Sequence, residues 1–237
     1  QGAAILLMLE SIIGEEAFQK VVQRFLKTHA YGTVTTNDFI TAIEDVVPEM
    51  NLRDFIESYV YQNRFPLIHV ESGNGTFILK QQVCATTAKH TDFGQKWTVP
   101  ITYITDKNKD PKFVWFDKDM DSLTIAEPDA EWIILNPQGT GHYKVSLAAN
   151  QWETITQRFQ DLTPAERTTL ISDAVYSFRF GLASCSVVIN MMKQVNNPKQ
   201  WASFLEFHVI LNERMRCDEN NEKALKAYIK WRVKTKG

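Results

Sequence analysis

The chain has only three cysteines, Cys84, Cys185 and Cys217, and no two of them stand in Cys-x-x-Cys spacing. Scattered in this way they exclude a paired-cysteine zinc site within the chain, and the odd count excludes a complete disulfide framework. One bridge plus one free thiol stays open beside the simpler reading of buried or idle thiols. No His-Glu-x-x-His occurs, and none of the five histidines, His29, His69, His90, His142 and His208, has another at i, i+4. The sequence therefore contains no helical zinc site of that kind. It also lacks a P-loop, a Gly-x-Ser-x-Gly elbow and a dinucleotide fingerprint. Carboxylates are dispersed, and Glu15-Glu16 and Glu44-Asp45 suit helix faces better than an acid/base pair. The longest apolar run, residues 3–9, meets Glu10 well short of the roughly 18 residues of a membrane helix. No basic segment precedes that run, as a signal peptide would require. Lys plus Arg number 26 against 28 Asp plus Glu, a net charge of −2 that gives no electrostatic case for nucleic acid.

What is present is an ordinary globular composition, 44% hydrophobic and 23% charged, over 237 residues. That length allows one large domain or two to three small ones. Residues 97–145 are β-rich between two helical flanks. Trp97, Val99, Ile101 and Tyr103 alternate with Thr98, Pro100 and Thr102, the pattern of a strand with one buried face. Short apolar segments at 113–116, 123–125, 131–136 and 142–145 follow, separated by Asp-, Asn-, Gly- and Pro-rich turns. Their spacing predicts a β-sandwich. Upstream, Asn74-Gly75 between segments 67–70 and 77–83 predicts a hairpin, because a type I′ turn needs positive φ at both central residues. Asn74-Gly75-Thr76 is also an N-glycosylation acceptor sequence, which makes Asn74 the one modification candidate.

Helical periodicity covers both flanks. Ile5, Met8, Leu9, Ile12 and Ile13 define a first helix over 3–13 that Gly14 ends. A second opens at Glu15-Glu16 and closes by His29 to Gly32. A third has Thr36 as its N-cap, and a fourth runs over 52–61. After residue 145 come a short stripe of Trp152, Ile155 and Phe159, then Thr163-Pro164-Ala165-Glu166, a capping box with proline at N1. The helix behind it ends at Gly181, Ser184 can cap the next, and two more are expected over 201–216 and 221–234. Helices of similar length on short loops suggest stacked hairpins, as in an α-solenoid. Of six tryptophans, Trp97, Trp115 and Trp132 are assigned to strands and Trp152, Trp201 and Trp231 to helices, which favours core packing over a ligand cleft. The chain enters helical periodicity at once, with no capping residue ahead of Ala3, so it is expected to be a piece of a longer polypeptide.

Three stretches together resemble the zinc aminopeptidases related to aminopeptidase N, puromycin-sensitive aminopeptidase and the endoplasmic-reticulum aminopeptidases, which are gluzincin metallopeptidases. The first runs from Gly2-Ala3-Ala4-Ile5-Leu6-Leu7-Met8-Leu9 through Gly14-Glu15-Glu16-Ala17-Phe18 to residues 25–32, and continues to the break Gln62-Asn63-Arg64-Phe65-Pro66. The second is Trp97-Thr98-Val99-Pro100-Ile101-Thr102-Tyr103, similar to the family's W-x-x-P-x-x-Y strand. The third is Trp132-Ile133-Ile134-Leu135-Asn136 with Gly141-His142-Tyr143-Lys144-Val145, similar to W-x-x-x-N…G-x-Y-R-V.

The resemblance implies an α+β multidomain architecture. Residues 1–66 would be the helical C-terminal part of a thermolysin-like catalytic domain, 67–146 a β-sandwich, and 147–237 the start of a C-terminal helical domain. It also implies where the chemistry lies. In the family the zinc ligands, the general base, the substrate-gripping Gly-x-Met-Glu-Asn and the catalytic tyrosine all stand at or before a tyrosine-x-Lys-Gly-Ala motif, and here Gln1 occupies the lysine position. No catalytic, cofactor-binding or metal residue maps onto this sequence. The expectation is a non-catalytic scaffold segment, inactive alone, of a parent that uses zinc to remove N-terminal amino acids from peptides. Its partners would be the rest of the parent chain and, through the parent, a peptide substrate. Gln1 for lysine, and Arg64 where the family usually has glycine, keep the alternative open: an interaction module of a catalytically inactive relative. Family members are cytosolic, secreted or membrane-anchored, and the sequon leans toward an ectodomain.

Overall fold

The computed structural model describes residues 2–73, 75–84, 94–195 and 223. Four helices come first, α1 (Gly2–Ile13), α2 (Glu15–Thr28), α3 (Thr36–Val46) and α4 (Arg53–Val60). The periodic stripe of α1 buries Ile5, Met8 and Leu9 and leaves Leu6 and Leu7 exposed. Gly14, at φ 83°, turns the chain from α1 into α2, a conformation that costs glycine little. The N-cap of α3 is Thr35, one residue before the expected Thr36. Thr35 Oγ1 accepts from the Asp38 N–H at 3.3 Å, while the Asp38 carboxylate accepts from the Thr35 N–H at 2.8 Å. Only Thr35 has a carboxylate three residues on to close that box, which decides between two adjacent threonines.

Seven strands follow among the described residues: β1 (Pro66–Gly73), β2 (Thr76–Val83), β3 (Val99–Thr105), β4 (Lys112–Phe116), β5 (Leu123–Ala126), β6 (Ile133–Leu135) and β7 (Lys144–Leu147). They form two sheets, in the orders β5-β2-β1-β7 and β4-β3-β6. β1 and β2 make the expected hairpin, with Gly73 paired to Thr76 across a two-residue turn. Gly75 is left-handed, and a Cβ there would lie 2.7 Å from the Glu127 carbonyl oxygen, so the position demands glycine. Asn74 lies outside the described residues.

The β-rich stretch read as one unit is divided between the sheets: β3, β4 and β6 form one, while β5 and β7 join the earlier hairpin. β3 is also buried on both faces, with Val99, Pro100, Ile101 and Ile104 all inside, not on one face as its alternation suggests. It is the central strand of three, and α4 lies over its start, where the N–H of Thr98, one residue ahead of the strand, donates to Ser58 Oγ at 3.3 Å. Pro100 is tolerated because β6 pairs only with Tyr103 to Thr105, which leaves Pro100 paired with β4 alone.

The helical return consists of α5 (Ala149–Gln157), a 3₁₀ turn (Phe159–Asp161), α6 (Pro164–Arg179) and α7 (Cys185–Gln194). The capping box of α6 forms as expected, with Glu166 accepting from the Thr163 N–H at 2.8 Å. Gly181, at φ 75°, ends that helix. Ser184 does occupy the N-cap position of α7, yet its hydroxyl pairs with that of Ser186 at 2.7 Å and makes no capping bond. The helices expected over 201–216 and 221–234 fall outside the described residues, apart from Lys223.

Buried side chains from all these elements join in one hydrophobic cluster running from Ile5 to Val195. Trp97 and Trp152 are the largest fully buried residues. Trp97 and Trp132 precede β3 and β6 and are not on them, and Trp201 and Trp231 lie outside the described residues.

Candidate functional site

The described residues assemble no group of three His, Cys, Asp or Glu side chains able to hold a metal ion. The described residues do not form the donor set that zinc requires, so no step through zinc is assigned to them. The histidines are dispersed. His29 follows the C-terminus of α2, His69 lies on β1 against Gln82, His142 precedes β7, and His90 and His208 fall outside the described residues. Burial lowers the pKa of both His69 and His142, which favours their neutral forms. Cys84 is free and buried, and burial pushes its thiol up to about 11. Cys185 is disulfide-bonded, so the reading of idle thiols fails there, and Cys217 lies outside the described residues.

What these residues do assemble is a junction around the β6–β7 loop. Asn136 holds a left-handed φ of 54° and is 4% exposed. Its side-chain oxygen accepts from the Gly141 N–H at 2.8 Å, and its amide donates to the Gly141 carbonyl at 3.0 Å. Its own N–H donates to the Thr102 carbonyl on β3 at 2.8 Å. This clamp fixes the loop, which touches the first helical flank and lies close to the second. The His142 N–H points to Met8 Sδ of α1 at 3.0 Å, and its ring packs on Phe65 with centroids 4.7 Å apart. On the other side, a Cβ at Gly139 would come within 3.3 Å of Thr169 Oγ1 on α6.

The remaining landmark residues are also structural. Gln81 brackets Trp97, donating to its carbonyl at 3.0 Å and accepting from its N–H at 2.8 Å. The Tyr103 hydroxyl donates to Glu127 at 2.8 Å, and burial together with that carboxylate raises it to about 12. Lys112 donates to the same carboxylate at 2.6 Å. The Lys109 ammonium lies 3.8 Å from the centre of the Trp132 ring. α4 is tied on by Gln62, donating to the Lys96 carbonyl at 2.8 Å, and by an Asp54–Lys118 pair at 2.7 Å.

A cleft of about 450 Å³ opens where the β1–β2 hairpin meets α5, lined by Ser72, Gly73, Gly75, Glu131, Asn150 and Gln151. It brings together hydroxyl and carboxamide groups with one carboxylate, and lacks the paired acid and base that hydrolysis would need.

Sequence reasoning missed one cluster. Asp173 on α6 is 4% exposed, and its carboxylate lies 3.6 Å from Lys144 Nζ of β7. The lysine in turn donates to Ser172 Oγ at 2.5 Å. The partners are 29 positions apart with no intervening pattern, so nothing in the sequence pointed to the pair.

Comparison with known proteins fits this geometry. Residues 1–59 match the Peptidase family M1 domain, and residues 132–236 match the ERAP1-like C-terminal domain. Glutamyl aminopeptidase of Sus scrofa is 26% identical over 212 residues, covering 85% of this chain and 22% of that protein. Aminopeptidase N of Homo sapiens is 27% identical over 203 residues, covering 79% and 20%. Tricorn protease-interacting factor F2 of Thermoplasma acidophilum is 29% identical over 182 residues, covering 75% and 21%. In both matched domains and in these relatives the chain is similar to aminopeptidases of the M1 family, and it spans about a fifth of the length of the curated relatives it matches.

Proposed function

We propose that this chain is a non-catalytic scaffold segment of a zinc-dependent aminopeptidase that removes N-terminal amino acids from peptides. The observation that carries this reading is the order of the two family matches, residues 1–59 to the peptidase domain and 132–236 to the C-terminal domain, in a sequence without His-Glu-x-x-His. Zinc in the parent would polarise the water that attacks the peptide bond. The residues of this chain hold the elements that flank that chemistry. Residues 1–66 are assigned to the end of the catalytic domain, 67–146 to a β-sandwich and 147–237 to the start of the helical domain. The Asn136–Gly141 clamp supports this division of labour, because the loop it fixes contacts α1 on one side and lies close to α6 on the other. Asn74 is retained as the proposed glycan acceptor of an ectodomain parent.

A second reading, an interaction module of an inactive relative, is favoured by Arg64. It stands where the family usually has glycine and takes up a left-handed φ of 78°. The two readings separate on the parent protein. Stoichiometric zinc and chelator-sensitive release of N-terminal amino acids support the first, whereas a folded parent with neither supports the second.

A further inference from the structure

Among the described residues, β5 and β7 are the outer strands of one sheet and β4 and β6 those of the other. An outer strand presents unpaired backbone N–H and C=O groups, and proteins normally shorten, charge or cover it. β7 is covered by α6, where Ser177 Oγ donates to the Val145 carbonyl at 3.5 Å. β5 and β6 are short, at four and three residues. β4 is the longest of the outer strands, at five residues, and it pairs with β3 alone. Its sequence, Lys112-Phe113-Val114-Trp115-Phe116, holds a single charge. That Lys112 ammonium is held by Glu127 at 2.6 Å, so it does not guard the edge. Phe113 is 47% exposed and meets the half-buried Trp115 edge-to-face, with ring centres 5.2 Å apart.

We propose that β4 pairs antiparallel with β4 of a second copy of this chain, across a two-fold axis at Val114, joining the two three-stranded sheets into one. What selects a second copy is that the stretch is complementary to itself in this register. Phe113 falls opposite Trp115 of the other copy, and Trp115 opposite its Phe113, which sets two aromatic cross-strand pairs on one sheet face. Asp110, two residues before the strand, falls opposite Lys118, two residues after it, and symmetry forms this pair twice. Lys118 already donates to Asp54 at 2.7 Å, yet it is 37% exposed and its ammonium has further hydrogens for a second carboxylate.

Neighbouring registers lose this match. Centring the pair on Trp115 sets Lys112 against Lys118, and centring it on Phe113 sets Asp110 against Phe116. The charges therefore hold the strands in the one register that also opposes the aromatic rings. A pair of five-residue strands is small beside the roughly 800 Å² per partner of a stable interface, so the dimer is weak and concentration-dependent.

Sedimentation equilibrium of the whole 237-residue chain tests the proposal. The average mass should rise from 27.3 kDa toward twice that value between about 10 μM and about 1 mM. Phe113→Lys, at an exposed position, should weaken the association about tenfold. Asp110→Lys and Lys118→Asp should each weaken it about fivefold, because each sets like charges opposite one another twice. Mixed in equal amounts, those two variants should regain wild-type association as a heterodimer, since every opposed charge pair is again of opposite sign. A chain that stays monomeric at about 1 mM would overturn the proposal. So would a dimer indifferent to Phe113→Lys, as one formed through the exposed Leu6 and Leu7 of α1 would be, or a mixture no stronger than either charge variant alone. Should Phe113→Lys not fold, the mixing experiment decides.

Discussion

Replacing Asn136 with alanine should destabilise the chain by about 3 kcal/mol, summed from three losses at one residue. Two hydrogen bonds to Gly141 disappear, at 2.8 and 3.0 Å, each contributing about 1 kcal/mol net. Alanine must also hold the left-handed φ of 54°, which asparagine tolerates through its short polar side chain and alanine does not, a difference of about 1 kcal/mol. Because the loop touches α1 and lies close to α6, the loss should appear in global unfolding and not only in local fraying. Urea denaturation followed by tryptophan fluorescence reads it as a fall in midpoint of about 1 M. Asn136→Gly restores the tolerance of positive φ but neither hydrogen bond, so it should recover about 1 kcal/mol of the loss. An Asn136→Ala variant within about 1 kcal/mol of wild type would show that the clamp is incidental to the fold.

Two other substitutions probe neighbouring backbone positions. At Arg64, φ 78° strains any residue with a Cβ, so Arg64→Gly should be more stable than Arg64→Ala by about 0.5–1 kcal/mol in thermal unfolding. The alanine variant removes the arginine contacts equally, so the comparison isolates the backbone. Gly141→Ala would put a Cβ 2.3 Å from Cε1 of the buried Tyr143 ring, and a loss of about 1–3 kcal/mol is expected in the same denaturation assay.

Local chemistry was the part of this fold most legible in the sequence. The Thr163–Glu166 box, the hairpin turn at Gly75 and the stripe of α1 rest on contacts within a few residues, and spacing reveals those directly. Partition of strands between two sheets was not legible, because β5 and β7 are apolar segments like β4 and β6, and only long-range pairing sorts them. The second buried face of β3 was hidden for a related reason: Thr98 reads as a solvent-facing residue until α4 covers it with Ser58. The landmark residues Trp97, Tyr103, Trp132 and Asn136 could be read as family markers, but their roles could not. Gln81, Glu127, Lys109 and Gly141, which engage them, are ordinary polar or small residues at no characteristic spacing. Asp173 and Lys144 meet across two elements, and a lone acidic residue in an amphipathic helix reads as surface until its neighbours are placed.

The central claim is that this chain carries scaffold while the chemistry belongs to residues elsewhere in the parent. Metal content and aminopeptidase turnover of the purified 237-residue chain test it most directly. The account predicts that the folded chain, equilibrated with zinc and desalted, retains no stoichiometric metal and leaves aminoacyl p-nitroanilide substrates intact. Stoichiometric zinc together with chelator-sensitive release of p-nitroaniline by this chain alone would contradict it.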